Sequence, residues 1–146
     1  MAYKISYTSD PKNEDIQILY DGLKEYMIAR RDLNPISFFG FFIKDDKGKV
    51  VGGCSGCFLY GCLVVDTLWV AESLRGQGYG TKLMQKAERL GIENDCHFVT
   101  VNTMDWEALE FYKKLGFEIE FERKGFDKGS ILYFLRKSLT GKIGKE

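Results

Sequence analysis

Residues 68–84 read LWVAESLRGQGYGTKLM, and this stretch decides the fold. An apolar, β-branched run enters it: Leu63, Val64, Val65, Leu68, Trp69 and Val70. A helical pattern leaves it, with Leu83, Met84, Ala87 and Leu90 at helix spacing. Between them lies Arg75-Gly76-Gln77-Gly78-Tyr79-Gly80-Thr81. A strand, a glycine-rich turn and a helix start make an anion site, because exposed amides and the positive end of the helix dipole face one point. Glycine carries no Cβ, so a guest approaches the backbone closely. Arg75 and Lys82 add positive charge beside the turn. The expected guest is a diphosphate.

Spacing narrows the choice. The dinucleotide fingerprint G-x-G-x-x-G fails, because counting from Gly76 its third glycine falls on Thr81. No window supplies the P-loop pattern G-x-x-x-x-G-K-[ST]. What remains is Arg75-x-x-Gly78-x-Gly80. Taken alone it is also compatible with a glycine-rich connection that binds nothing.

A second motif follows at residues 102–117. Asp105 is placed to cap a helix, and Glu107 sits in the first turn, where the dipole favours negative charge. Ala108, Phe111, Tyr112 and Leu115 form an apolar stripe. Gly116 ends the helix at a left-handed position and Phe117 opens the next strand. The pair Arg75-x-x-Gly78-x-Gly80 and Ala108-x-x-Phe111-Tyr112-x-x-Leu115-Gly116-Phe117 resembles, in order and separation, the two signatures of the GCN5-related N-acetyltransferases, the GNAT family.

That resemblance implies an α/β fold, a GNAT-like mixed β-sheet of about six to seven strands flanked by about four helices in a single domain. The domain is expected over residues 1–139, with a frayed tail at 140–146. The resemblance also implies acetyl-CoA as co-substrate and no metal. By the same resemblance, the backbone of Leu68, Trp69 and Val70 pairs with the pantetheine arm. Amides of Gly76, Gln77, Gly78, Tyr79, Gly80 and Thr81 hold the pyrophosphate, with Arg75 at its mouth. Ala108 and Tyr112 lie against the coenzyme, and Tyr112 matches the tyrosine that protonates the departing thiolate. Asp105 stands where the family often carries asparagine. A carboxylate accepts that hydrogen bond but cannot donate one, so helix capping and coenzyme contact both stay open for it. The implied reaction is acetyl transfer to a primary amine of a small molecule or peptide, by direct attack in a ternary complex. The alternative is a non-catalytic acyl-CoA sensor or regulatory module.

A general base is read from the residues themselves. Asp66 interrupts an apolar run, which is costly unless it faces a wet cavity or a partner. It is the candidate base, with ordered water as the alternative.

Composition sets the boundaries. A chain of 146 residues with a hydrophobic fraction of 45% can bury a core. Lys plus Arg and Asp plus Glu are both 21, so there is no electrostatic footprint for nucleic acid. No apolar run is long enough to cross a bilayer, and the first residues lack the apolar core of a signal peptide. A cytoplasmic protein is expected, with an amine acceptor as partner and a homodimer possible. Cys54-x-x-Cys57 has no second pair at ligand spacing, so Cys54, Cys57, Cys62 and Cys96 read as small buried thiols. His97, the one histidine, reads as structural.

The remaining elements follow in order. Residues 3–8 alternate weakly and suggest an edge strand. Asp10-Pro11 marks a helix start, and the helix ends near Arg31. Residues 37–44 read as a strand covered on both faces, and Asp45-Asp46-Lys47-Gly48 as a hairpin turn into a strand at 50–60. Strands at 63–70 and 97–102 are joined through a helix, so they run parallel. A helix at 106–115 and a closing hairpin at 117–123 and 131–137 complete the chain.

Overall fold

The computed structural model describes residues 2–139; the tail expected at 140–146 lies outside them. The chain divides after Pro35 into two compact units. The first holds helix α1, Asn13–Arg31, with Glu14 and Asp15 in its first turn and Arg30 and Arg31 in its last, the arrangement the helix dipole favours. Pro11 is not the first helical residue as expected. Lys12 is still extended at φ −72° and ψ 144°, so the helix begins two residues later. Residues 3–8 form no strand, which corrects the expected edge strand.

The second unit is a six-stranded sheet in the order β1-β2-β3-β4-β6-β5. Its strands are β1 Ser37–Lys44, β2 Val50–Leu59, β3 Cys62–Val70, β4 Phe98–Met104, β5 Glu118–Arg123 and β6 Leu132–Ser138. Helix α2, Tyr79–Glu93, joins β3 to β4, and α3, Leu109–Lys114, joins β4 to β5. Only β3 and β4 pair in parallel; every other neighbouring pair is antiparallel. The described residues hold three α-helices and two single-turn 3-10 segments, where about four helices were expected. No helix among them is long and apolar enough to cross a membrane.

Alternation explains the core. Leu63, Val65, Val99, Val101 and Leu135 pack one sheet face against Leu83, Met84 and Ala87 of α2. The hairpin between β1 and β2 turns on Asp45, whose Oδ1 accepts from the amides of Lys47 and Lys49 at 2.8 and 2.9 Å. On β1, Phe39, Phe41 and Ile43 pack toward the core, and Phe42 lies on the other face of the strand. Between α2 and β6, Lys137 Nζ meets Glu88 Oε1 at 3.0 Å and lies over the Phe117 ring, fixing the helix to the sheet beside the Gly116 turn.

One irregularity positions the site. Ser55 pairs with Thr67 and Gly56 with Val65, so Asp66 is an extra residue, a β-bulge. Strict alternation from Leu63 and Val65 would turn Leu68 outward. The extra residue resets the count, and Leu68 and Val70 pack against the core instead. The bulge demands glycine opposite it, because a Cβ on Gly56 would stand 1.7 Å from the Val64 carbonyl oxygen.

Candidate active site

β3 and β4 stay in register only from Cys62 opposite Phe98 to Val65 opposite Val101. β3 nevertheless continues to Val70 and β4 to Met104, so beyond Val65 the two strands part. β3 keeps its other neighbour, with Leu68, Trp69 and Val70 opposite Cys54, Gly53 and Gly52. The amide of Ala71 donates to the Val51 carbonyl at 2.9 Å. Backbone groups alternate sides along a strand, so Trp69 turns its N–H and C=O toward β2, while Leu68 and Val70 turn theirs into the gap. The resemblance gave these three residues one common role; the alternation divides them.

The gap opens into a cleft of ≈ 910 Å³. One wall is Leu68, Trp69, Val70, Leu74, Arg75, Gly76, Gly78, Tyr79, Gly80 and Thr81. The other is Trp106, Glu107, Ala108 and Phe111. Gly76 and Gly78 take φ of 78° and 87°, and nothing lies within 4 Å of where a Cβ on either would stand. Gly78 is the N-cap of α2 and no side chain caps that end, so its first amides are unclaimed by a cap. An open glycine cradle facing uncapped helix amides fits a diphosphate. Arg75 is committed elsewhere in part: its Nε donates to the Val70 carbonyl at 2.8 Å. It ties the loop to the strand end and leaves the Val70 amide and both Leu68 backbone groups toward the gap.

Four expected site residues do not line the cleft: Asp66, Gln77, Asp105 and Tyr112. The Gln77 side-chain amide turns back to the Ser73 carbonyl at 3.2 Å, leaving only its backbone beside the lining glycines. Asp105 is not a helix cap. The helix begins at Leu109 with Ala108 as its N-cap, so its first turn starts later than expected at Trp106. Asp105 instead accepts from the Ile131 amide on Oδ1 at 3.3 Å and donates its own amide to the Ile131 carbonyl at 2.9 Å. Residues 104–108 form a turn closed by two other side chains. Thr103 Oγ1 accepts from the Ala108 amide at 3.0 Å, and Glu107 Oε1 accepts from the Met104 amide at 2.8 Å.

Tyr112 lies behind Phe111, its ring edge-on to Phe111 and Phe117 and 6% exposed. No hydrogen bond of its hydroxyl occurs among the described residues, yet no buried side-chain oxygen there lacks a partner. The phenol oxygen is therefore not wholly shut off from the surface, although the ring around it is buried. Burial pushes the phenol up to about 12, with the Cys54 and Glu107 charges adding to the rise. Burial also pushes the Cys54 thiol up to about 11, and the thiols of Cys57, Cys62 and Cys96 upward, so all four free cysteines are poor nucleophiles. Asp66 sits exposed on the bulge, one residue past the last parallel pair, at the fork where β3 and β4 part. His97 donates its amide to the Gly61 carbonyl at 2.7 Å, a backbone link between β3 and β4.

Leu74, Trp106, Glu107 and Phe111 line the cleft but were not named as site residues from sequence. Phe111 was legible as part of the apolar stripe. Trp106 had one signal: a large aromatic just before that stripe and out of its period.

Comparison with known proteins agrees with this architecture. The model of the acetyltransferase (GNAT) family matches residues 3–117. An acetyltransferase of Agrobacterium fabrum is 33% identical over 123 residues, covering 80% of this chain and 84% of the relative. The blasticidin-S acetyltransferase of Streptomyces morookaense is 29% identical over 109 residues, covering 74% of this chain and 80% of that one. A crystal structure of an Agrobacterium tumefaciens protein assigned as an acetyltransferase superposes with a TM-score of 0.81 at 29% identity, covering 94% of this chain and 99% of the other. With its splayed parallel strands and glycine cradle, the chain belongs to the GNAT acetyltransferase family.

Proposed function

We propose that the protein transfers an acetyl group from acetyl-CoA to a primary amine of a small molecule or peptide, by direct attack while both are bound. The observation that carries this is the parting of β3 from β4 after Val65, which leaves both Leu68 backbone groups and the Val70 amide open beside an uncapped glycine cradle. The bound thioester supplies an activated acyl carbon. The Leu68 N–H and C=O hold its arm as an added strand would, and the amides of Gly76, Gln77, Gly78, Tyr79, Gly80 and Thr81 hold its diphosphate. The Val70 amide donates to the acyl oxygen as negative charge develops there. The carbon–nitrogen bond forms as the carbon–sulfur bond breaks. Asp66, directly or through water, takes the proton that nitrogen loses. The Tyr112 hydroxyl gives a proton to the departing sulfur, and its raised pKa keeps that proton on the phenol at neutral pH. Free thiols fit a reducing compartment, and the reading places the enzyme in the cytoplasm.

The blasticidin-S relative supports a small-molecule amine as acceptor class. A second reading, a coenzyme-binding module without chemistry, is favoured by one observation: Tyr112 lies behind Phe111 and not in the cleft lining. Release of free CoA against polyamines, amino acids, aminoglycosides and lysine peptides separates the two. The enzyme reading predicts turnover with at least one class, and a Tyr112→Phe variant slowed by about 10- to 100-fold in kcat at similar KM for acetyl-CoA. Tight acetyl-CoA binding with no turnover on any acceptor establishes the module instead.

A further inference from the structure

The two walls of the cleft have opposite chemistry. The wall from Leu68 to Thr81 offers unclaimed amides and the cation Arg75. The wall at residues 104–108 offers almost none. The Met104 amide goes to Glu107 Oε1, the Asp105 amide to the Ile131 carbonyl, the Glu107 amide to the Met104 carbonyl and the Ala108 amide to Thr103 Oγ1. What this wall presents is an indole and a carboxylate. Trp106 is 68% exposed, yet its one polar atom is already used: Nε1 donates to Ser130 Oγ at 3.1 Å. The bond fixes the ring to the loop between β5 and β6, and the paired backbone of Asp105 and Ile131 holds the base of that loop. Only the π faces and edges of the indole remain for a ligand. The Glu107 carboxylate is oriented by the Met104 amide, and its second oxygen has no hydrogen-bond partner among the described residues.

A π face beside a fixed carboxylate repels phosphate and attracts cations. We propose that Trp106 and Glu107 recognise the acceptor and select an amine that carries a second, non-reacting cationic group. The reacting nitrogen must shed its charge to attack, so a cation held through the reaction belongs to another part of the molecule. This inference rests on the acetyltransferase reading of the same cleft. It assigns the glycine wall to the anionic coenzyme and the Trp106 and Glu107 side chains of the facing wall to the cationic acceptor, with Ala108 left to the coenzyme arm.

The test compares 1,5-diaminopentane with pentylamine at saturating acetyl-CoA, in the native chain and in Trp106→Leu, Trp106→Phe and Glu107→Gln. Cation–π and carboxylate contacts predict a kcat/KM preference for the diamine of about tenfold in the native chain. The preference falls with added salt, because the carboxylate part is screened. Trp106→Phe keeps most of it, Trp106→Leu brings it near parity and Glu107→Gln lowers it and flattens the salt dependence. The KM for acetyl-CoA stays within about twofold in all three. Should Trp106→Leu fail to fold, the native salt dependence and the Glu107→Gln variant still decide. Equal rates for the two amines overturn the inference while leaving the enzyme reading intact, and so does a variant that raises the KM for acetyl-CoA and spares the amine preference. The chain has two tryptophans, Trp69 and Trp106, and both line the cleft, so intrinsic fluorescence reports coenzyme binding directly. A native chain whose fluorescence ignores acetyl-CoA and which acetylates neither amine loses the enzyme reading, and this inference with it.

Discussion

Arg75 does two things at once. It borders the cleft, and its Nε holds the carbonyl at the free end of β3 at 2.8 Å. Removing the side chain leaves that carbonyl facing the gap and unties the glycine loop from the strand. Arg75→Ala is expected to raise the KM for acetyl-CoA about tenfold, with kcat changed less, in initial-rate measurements. Gly78 is constrained differently. Space around it is open, so a side chain there meets the guest and not the protein, but its φ of 87° strains any other residue. Gly78→Val is expected to cost about 1–2 kcal/mol of stability in denaturant melts and to abolish acetyl-CoA binding in calorimetry. Normal binding by that variant would remove the diphosphate from this cradle. Tyr112 makes a prediction in pH. Its folded phenol titrates at about 12 against an ordinary 10.0, so the folded state holds the proton more tightly. The stability this contributes is complete below pH 10 and is lost as pH rises toward 12, by about 3 kcal/mol. Cys54, raised from 9.0 to about 11, adds a loss that begins one unit lower. Tyr112→Phe should flatten the upper part of this decline in melts taken between pH 9 and 12. An unchanged slope would mean that the phenol is solvated.

At the scale of elements, the bulge at Asp66 does most to place the site. It puts Leu68 and Val70 against the core and leaves their backbone facing the gap. Gly56→Ala places a methyl into the Val64 carbonyl, so the bulge must shift. We expect a loss of about 3 kcal/mol, a fall in Tm of roughly 10 °C and weaker acetyl-CoA binding, though residue 56 touches no ligand. The bulge also shows where the sequence runs out. The strand bounds at Ser37–Lys44 were legible to the residue, because alternation and a hairpin turn fix both ends. The glycine cradle was legible because backbone chemistry restricts which residues can build it. Asp66 was visible only as an interruption. Nothing local says that one residue is extra, since that depends on where Ser55 and Gly56 stand across the pair. Asp105 was misassigned for the same reason. Its partner is Ile131, 26 residues away, and a distant partner outcompeted the local capping that its position suggested. The wall of Trp106 and Glu107 was missed because its character comes from amides satisfied within the turn, which no spacing records.

At the scale of the whole molecule, charge is balanced overall and sorted locally. The chain is formally neutral, with 21 residues of each sign, so binding must come from local arrangement and not from a global field. The cleft separates its charges, with amides and the Arg75 cation where one strand leaves the sheet and a carboxylate with an indole where the other does. All of this depends on the coenzyme arm lying along the free edge of β3. The most direct measurement is a titration of isotopically labelled protein with acetyl-CoA, following backbone amide resonances. The largest shifts are expected at Leu68, Val70 and residues 76–81, with Trp69 moving less because its amide is paired with β2. Shifts confined to other surfaces, or a spectrum unchanged at saturating coenzyme, would contradict the account.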